Sequence, residues 1–149
     1  MSLFNIDYRE NTAGIDAVRE HLLNCSDNFT PPLLTYIDLE EYVGKLSSMS
    51  VNIEAWHDGK LVGLIAAYLN NLEAGHAYIT NVSVESAYNG KGIASQLLEK
   101  METASKKAGF AWIALEVKAE NTKAARFYKN NGYQVTRQTD YNLFMEKAL

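Results

Sequence analysis

The strongest constraint on this chain's fold is a change of period between His76 and Gly109. Up to Glu85 the residues read as a strand. After Asn89-Gly90-Lys91-Gly92 the apolar residues Ile93, Leu97, Leu98, Met101 and Ala108 recur at helical spacing, with a helix expected over 91–108 and Gly109 ending it. A strand that runs through a two-glycine turn into a helix leaves the helix's first amides without partners and puts its positive dipole end at the turn. Glycine lets the backbone approach a ligand closely, with N–H groups pointing inward. Such a turn suits phosphate, and Lys91 adds a charge at its mouth. The bland alternative is a tight strand-to-helix turn with no ligand. Two common phosphate motifs are absent: no Gly-Lys-Ser/Thr triplet follows, and Ala94-Ser95 stands where a third glycine would complete Gly-x-Gly-x-x-Gly.

The remaining elements are simpler to place. Leu3 to Tyr8 alternates as a first strand. Asn11 or Thr12 can cap a helix carrying Ile15, Val18 and Leu22 on one face. A second helix begins at Asp38, with Glu41 three residues on as in a capping box and Leu39, Tyr42, Val43 and Leu46 as its apolar stripe. Strands are expected over 51–57 and 60–69, joined by the hairpin signal Asp58-Gly59, and then over 76–85. After the long helix come a strand over 111–118, a short helix over 121–130, and strands over 133–137 and 141–147. The order β-α-α-β-β-β-α-β-α-β-β describes one mixed α/β domain, residues 1–149, with a central mixed sheet flanked by helices.

Composition limits the function classes. The 149 residues carry a net charge of −4, which argues against a nucleic-acid partner. No stretch approaches the roughly 18 apolar residues of a membrane span; the longest, Leu61 to Leu69, suits a buried strand. Met1 to Asn5 shows no signal-peptide pattern. The single cysteine, Cys25, excludes an intramolecular disulfide, reads as structural, and points to a cytoplasmic setting. No His/Cys/carboxylate cluster has metal-ligand spacing, so no metal is expected. His21, His57 and His76 are each expected to be exposed.

Two motifs resemble one known family. Asn89-Gly90-Lys91-Gly92-Ile93-Ala94 is similar to the Gln/Arg-x-x-Gly-x-Gly/Ala loop of the GNAT acetyltransferases, with Asn89 in place of Gln or Arg. The second motif is Leu115-Glu116-Val117, then Asn121, then Ala124-Ala125-Arg126-Phe127-Tyr128, then Gly132-Tyr133. It resembles the family's later motif, in the same order and with a strand between the two. The likeness covers roughly residues 53–149; the first 50 match in element order only.

The resemblance implies a GNAT-like fold and acetyl-CoA as co-substrate. It places the pyrophosphate at Asn89, Gly90, Lys91, Gly92, Ile93, Ala94 and Ser95. It implies that the strand over 76–85 bulges and splays, with backbone groups at Val82, Ser83 and Val84 holding the pantetheine arm, Asn121 touching the cofactor, and Tyr128 lying near the acetyl sulfur. The reaction it implies is direct attack of a primary amine on the thioester. That chemistry asks for a base for the ammonium form, a donor for the oxyanion and a donor for the departing sulfur. Tyr128 is the expected acid. Glu116 is the first choice of base, by similarity to ribosomal-protein N-terminal acetyltransferases with a Leu-Glu-Val strand. Burial between Leu115 and Val117 would serve that role, while strict alternation would turn Glu116 to solvent. Asn81, Thr80 and Glu85 are the next candidates, since the resemblance places them beside the same cleft, with Asn81 as a group that orients a water. The expected acceptor is a small-molecule amine. A protein N-terminus or lysine, and a non-catalytic acyl-CoA-binding module, are the alternatives; a homodimer is left open.

Overall fold

The computed structural model describes residues 5–149. Its elements are strand β1 (Asp7–Glu10), helices α1 (Ile15–Cys25) and α2 (Leu39–Met49), strands β2 (Val51–His57), β3 (Lys60–Tyr68) and β4 (His76–Val84), helix α3 (Ile93–Lys107), strand β5 (Trp112–Lys118), helix α4 (Thr122–Asn130), and strands β6 (Gln134–Gln138) and β7 (Asn142–Ala148). The expected order therefore holds. The strands form one mixed sheet in the order β1-β2-β3-β4-β5-β7-β6, in which only β4 and β5 run parallel.

Strand β3 explains the long apolar run, because both of its faces are covered. Leu61, Leu64 and Ala66 pack with Val18, Leu22, Val43 and Leu46 of α1 and α2. Val62, Ile65 and Ala67 pack on the opposite face with Ile93, Leu97, Leu98 and Met101 of α3. The Asp58-Gly59 turn behaves as its residues demand. Both have positive φ, at 50° and 76°, which suits a primed hairpin turn.

Four expectations need correction. The first strand begins at Asp7, not Leu3; Leu3 and Phe4 lie outside the described residues. Neither Asn11 nor Thr12 caps α1, whose N-cap is Gly14 without a side-chain bond. Their polar groups serve strand β2 instead. Asn11 Oδ1 accepts from Asn52 N at 2.8 Å, and Thr12 donates through its amide (2.9 Å) and hydroxyl to Glu54. Ala13 N (2.9 Å) and Trp56 Nε1 (3.0 Å) also donate to Glu54, so this fully buried carboxylate ties the start of α1 to the sheet. Ile15, placed on the buried face, is 42% exposed. Finally, α3 starts at Ile93 rather than Lys91, since Gly92 has φ 78° and cannot continue a right-handed helix. By contrast, the Asp38 cap of α2 forms, accepting from Glu41 N at 3.0 Å.

Among the described residues no helix is long and apolar enough to cross a membrane, and no group of His, Cys, Asp and Glu is arranged to hold a metal.

Candidate functional site

The site is created where two neighbouring strands part. β4 and β5 pair only from His76↔Trp112 to Ile79↔Leu115. At that level the β3–β4 register slips: Ala66 faces Asn81 while Ala67 faces Ile79, leaving Thr80 as an extra residue. A bulge of this kind bends its strand and takes backbone groups out of the ladder. Beyond it β4 continues to Val84 without β5, and a cleft of about 560 Å³ opens between the strands.

The expected site residues fall into two groups. Asn81, Val82, Ser83, Val84, Asn89, Ala94, Glu116, Asn121 and Tyr128 all line this one cleft, although the sequence separates them by up to 47 positions. Gly90, Lys91, Gly92, Ile93 and Ser95 are not part of its wall. Gly90 and Gly92 hold φ of 76° and 78°, and a β-carbon on either would meet nothing within 4 Å. Both positions therefore face open space. The first intrahelical bond of α3 is Gln96 N to Gly92 O at 3.1 Å, so the amides of Ile93, Ala94 and Ser95 precede it. Ile93's side chain is core, at 2% exposure, so its amide alone is left for a ligand.

The second motif packs as its spacing suggests. Asn121 caps α4, accepting from Ala124 N at 3.2 Å, and still reaches the cleft. Tyr128 lies two turns on, 8% exposed, edge-on to Phe127 and Tyr133. Burial pushes its hydroxyl well above the ordinary tyrosine pKa, which keeps the group protonated and able to donate. That hydroxyl makes no hydrogen bond to a described residue.

Glu116 departs from the burial expected of it. Strand alternation buries Leu115 and Val117 and leaves Glu116 exposed, so the solvent-facing alternative is the correct one. It nevertheless borders the cleft, where the Tyr78 hydroxyl approaches its Oε2 at 3.4 Å. Burial, and then the Glu116 charge, push Tyr78 up to about 12. A solvent-connected carboxylate can pass a proton out to water without the reorganisation a buried one requires.

His21 is the second departure. It was expected to be exposed and is 1% exposed. Its Nε2 lies 2.9 Å from Ser83 Oγ, and that hydroxyl donates to Asn81 Oδ1 at 2.8 Å. Burial pushes the His21 pKa down to about 4; Glu85 opposes the shift and Lys60 adds to it. The Ser83 side chain thus turns toward α1, leaving only its backbone for a ligand. Val84 O already accepts from Asn28 Nδ2 at 3.1 Å, and Thr80 O from the Tyr42 hydroxyl at 2.9 Å.

One further wall of the cleft comes from the N-terminal part that the family resemblance associates with the acceptor pocket, through residues that nothing in the sequence singles out. Phe29, Leu33, Tyr36 and Ile37, from the segment between α1 and α2, line it together with Tyr42 and Tyr78. Lys118 Nζ sits 4.7 Å from the centre of the Tyr36 ring, so this segment touches the far end of β5. Residues 28–37 have no periodicity that would announce a binding wall, and Tyr42 reads as one more apolar position of a helix stripe.

Comparison with known proteins agrees with this geometry. The Acetyltransferase (GNAT) family profile matches residues 15–133. A curated relative, the Uncharacterized N-acetyltransferase MJ1530 of Methanocaldococcus jannaschii, is 35% identical over 78 residues, 52% of this chain and 48% of that protein. The chain's match spans less than half the length of the curated relatives. Among solved structures, the PaiA N-acetyltransferase of Thermoplasma acidophilum in complex with coenzyme A has the same fold, with a TM-score of 0.77 at 20% identity, covering 97% of this chain and 99% of that one. The ribosomal-protein-S18-alanine N-acetyltransferase of Escherichia coli superposes with a TM-score of 0.78 at 19% identity, covering 97% and 94%. With the profile covering well over half the chain, and with a splayed β4–β5 cleft beside a glycine turn at a helix start, this chain belongs to the GNAT family of acetyltransferases.

Proposed function

We propose that the chain transfers the acetyl group of acetyl-CoA to the primary amine of a small molecule, by direct attack on the thioester. The observation that carries this reading is convergence. Asn89 and Ala94 on either side of the glycine turn, the unpaired stretch of β4, Asn121 and Tyr128 all line one cleft beside the start of α3. In this reading the amides at Gly90 to Ser95, with Asn89 and Lys91, take the pyrophosphate. The backbone of Val82, Ser83 and Val84 takes the pantetheine arm, and Asn121 adds a side-chain contact. Tyr128, held protonated by burial, donates to the departing sulfur. Glu116 receives the ammonium proton, directly or through water, and Asn81 supplies a polar contact to the reacting groups. Of the open acceptor classes we favour a small amine. The cleft volume lies within the ordinary range for small-molecule sites, roughly 300–1,000 Å³, and the pantetheine arm occupies part of it. Cys25, free and fully buried, accords with a reducing, cytoplasmic compartment.

A protein N-terminus is the second reading, favoured by Leu115-Glu116-Val117 ahead of Asn121 and Tyr128 and by the likeness to an enzyme named for a ribosomal-protein alanine. The test has two steps. Acetyl-CoA at 100 times its Kd should stabilise the protein by about 2.7 kcal/mol, read as a thermal shift that ATP does not reproduce. A screen of amines and N-terminal peptides, followed by release of the CoA thiol, then identifies the acceptor. The absence of any shift at millimolar acetyl-CoA rules out the co-substrate assignment; turnover on peptides alone selects the second reading.

A further inference from the structure

A buried chain of polar side chains runs from α1 to the cleft, and its polarity follows from counting protons. The Ser83 hydroxyl has one proton and donates it to Asn81 Oδ1. The 2.9 Å contact between Ser83 Oγ and His21 Nε2 must then be donated by the imidazole. That contact asks for a neutral His21 protonated at Nε2 and bare at Nδ1, in a ring that also lies near the Leu61 and Ser83 backbone carbonyls. The Cys25 thiol lies 3.8 Å from Nδ1 and 3.7 Å from Nε2, so its weak donor is within reach of the bare nitrogen. Burial pushes that thiol up to about 12, which keeps its proton on sulfur.

The chain ends on an unmet donor. Asn81 is 3% exposed and borders the cleft, and its Nδ2 is buried without a hydrogen-bond partner. The neighbouring Tyr42 hydroxyl, which donates to Thr80 O at 2.9 Å, also lies beside the Asn81 carboxamide, so a ligand oxygen would compete with the Tyr42 oxygen for that donor. A buried amide donor without a partner costs free energy, and a ligand oxygen in the cleft would remove that cost.

We propose that His21 and Ser83 are positioning residues which, through the chain His21 Nε2–H to Ser83 Oγ–H to Asn81 Oδ1, fix the Asn81 carboxamide so that its Nδ2 presents N–H groups to an oxygen of the bound substrates. This role rests on the reading of the cleft as the transfer centre. Reversing the chain, with the His21 proton on Nδ1, would turn the Asn81 oxygen to the cleft and offer an acceptor in place of a donor. The His21 tautomer therefore decides which group the cleft presents. Burial also holds His21 uncharged across neutral pH: Glu85 and the Leu61 and Ser83 carbonyls draw its pKa up, Lys60 pushes it down, and burial outweighs them.

Two measurements test the proposal. Nitrogen-15 NMR of the parent protein's histidines, with no ligand added, should show His21 neutral and protonated at Nε2 from pH 5.5 to 8. An Nδ1-protonated His21, or one that titrates in that range, overturns the proposal. The second is a double-mutant cycle with the amine that gives turnover in the CoA-thiol assay. Ser83→Ala and His21→Gln should each lower kcat about five- to tenfold, the worth of one ordinary hydrogen bond, with the Kd of acetyl-CoA within about twofold of the parent. In an Asn81→Ala background the Ser83→Ala change should cost less than about twofold more. Losses that multiply in the double variant, or an Asn81→Ala protein with parental kcat, overturn the proposal while the parent remains active. A parent that releases no thiol with any amine removes the transfer reading itself, and the proposed role with it.

Discussion

Tyr128 shows how one residue combines packing with chemistry. Its ring lies edge-on to Phe127 and Tyr133, and its hydroxyl is held protonated at the cleft. Tyr128→Phe keeps the ring contacts and removes only the donor. We expect kcat to fall about tenfold or more with little change in acetyl-CoA affinity, because the bond strengthens as the thiolate forms. Steady-state kinetics in a chemistry-limited assay check this, and a kcat within about twofold of the parent would assign the acid role to the acceptor's own ammonium. His21 carries a prediction about stability. Its folded pKa, about 4, lies below the ordinary 6.5, so the unfolded chain binds the proton more tightly. The contribution of His21 is complete above pH 6.5 and is lost as the pH falls toward 4. Burial causes the shift; Glu85 and the Leu61 and Ser83 carbonyls oppose it and Lys60 adds to it, while the Cys25 thiol lies 3.8 Å from Nδ1. Between pH 7 and 4.5 the parent should lose roughly 2–3 kcal/mol more stability than His21→Gln, measured by urea unfolding at both pH values. Equal losses in the two proteins would show that His21 is hydrated in solution.

At the scale of elements, α3 should have separable roles in folding and in binding. Its first turn contains no acidic residue, although a carboxylate there favours a helix in isolation. Ser95 is exposed in that turn, three positions after the Gly92 cap. Ser95→Glu should leave the melting temperature unchanged or slightly raised, while weakening acetyl-CoA at least about tenfold by placing a negative charge where the pyrophosphate is expected. Calorimetry on the folded variant measures it, and weakening should shrink as salt is added. An unchanged affinity would make the turn a structural one. Substituting Gly92 would test this less cleanly, because its φ of 78° strains any side chain there whether or not a ligand binds. The sheet bulge has the same dual character: the extra residue at Thr80 interrupts pairing with β3 and coincides with the end of pairing with β5.

Across the whole molecule, α3 packs closely against the sheet. Gly63 sets that distance. A β-carbon there would come within 3.0 Å of Ile93 Cγ2, 3.2 Å of Ala55 Cβ and 3.3 Å of Leu97 Cδ1. Gly63→Ala lowers the entropy of the unfolded chain, a gain of about 0.4–1 kcal/mol, but overpacking typically costs about 1–3 kcal/mol. The variant should therefore be destabilised by about 1–2 kcal/mol in urea unfolding, and a more stable variant would mean that the helix yields easily. Much of this architecture was legible in sequence because it is local. The Asp58-Gly59 turn, the Asp38 cap and the period of Ile93, Leu97, Leu98 and Met101 each depend on neighbours a few residues away. The two GNAT-like motifs are local too, and they indicated Asn89, Glu116, Asn121 and Tyr128 before the cleft that gathers them could be seen. What local pattern could not determine is burial and partnership across the fold. Asn11 and Thr12 look like helix caps until β2 brings Asn52 and Glu54 beside them. His21 looks like one polar residue of an amphipathic helix until β4 sets Ser83 against it, 62 positions away. The sequence by itself determined the order of elements, the glycine turn and the family; the tertiary structure decided which polar groups are dry, since desolvation depends on the packing of segments distant in the chain.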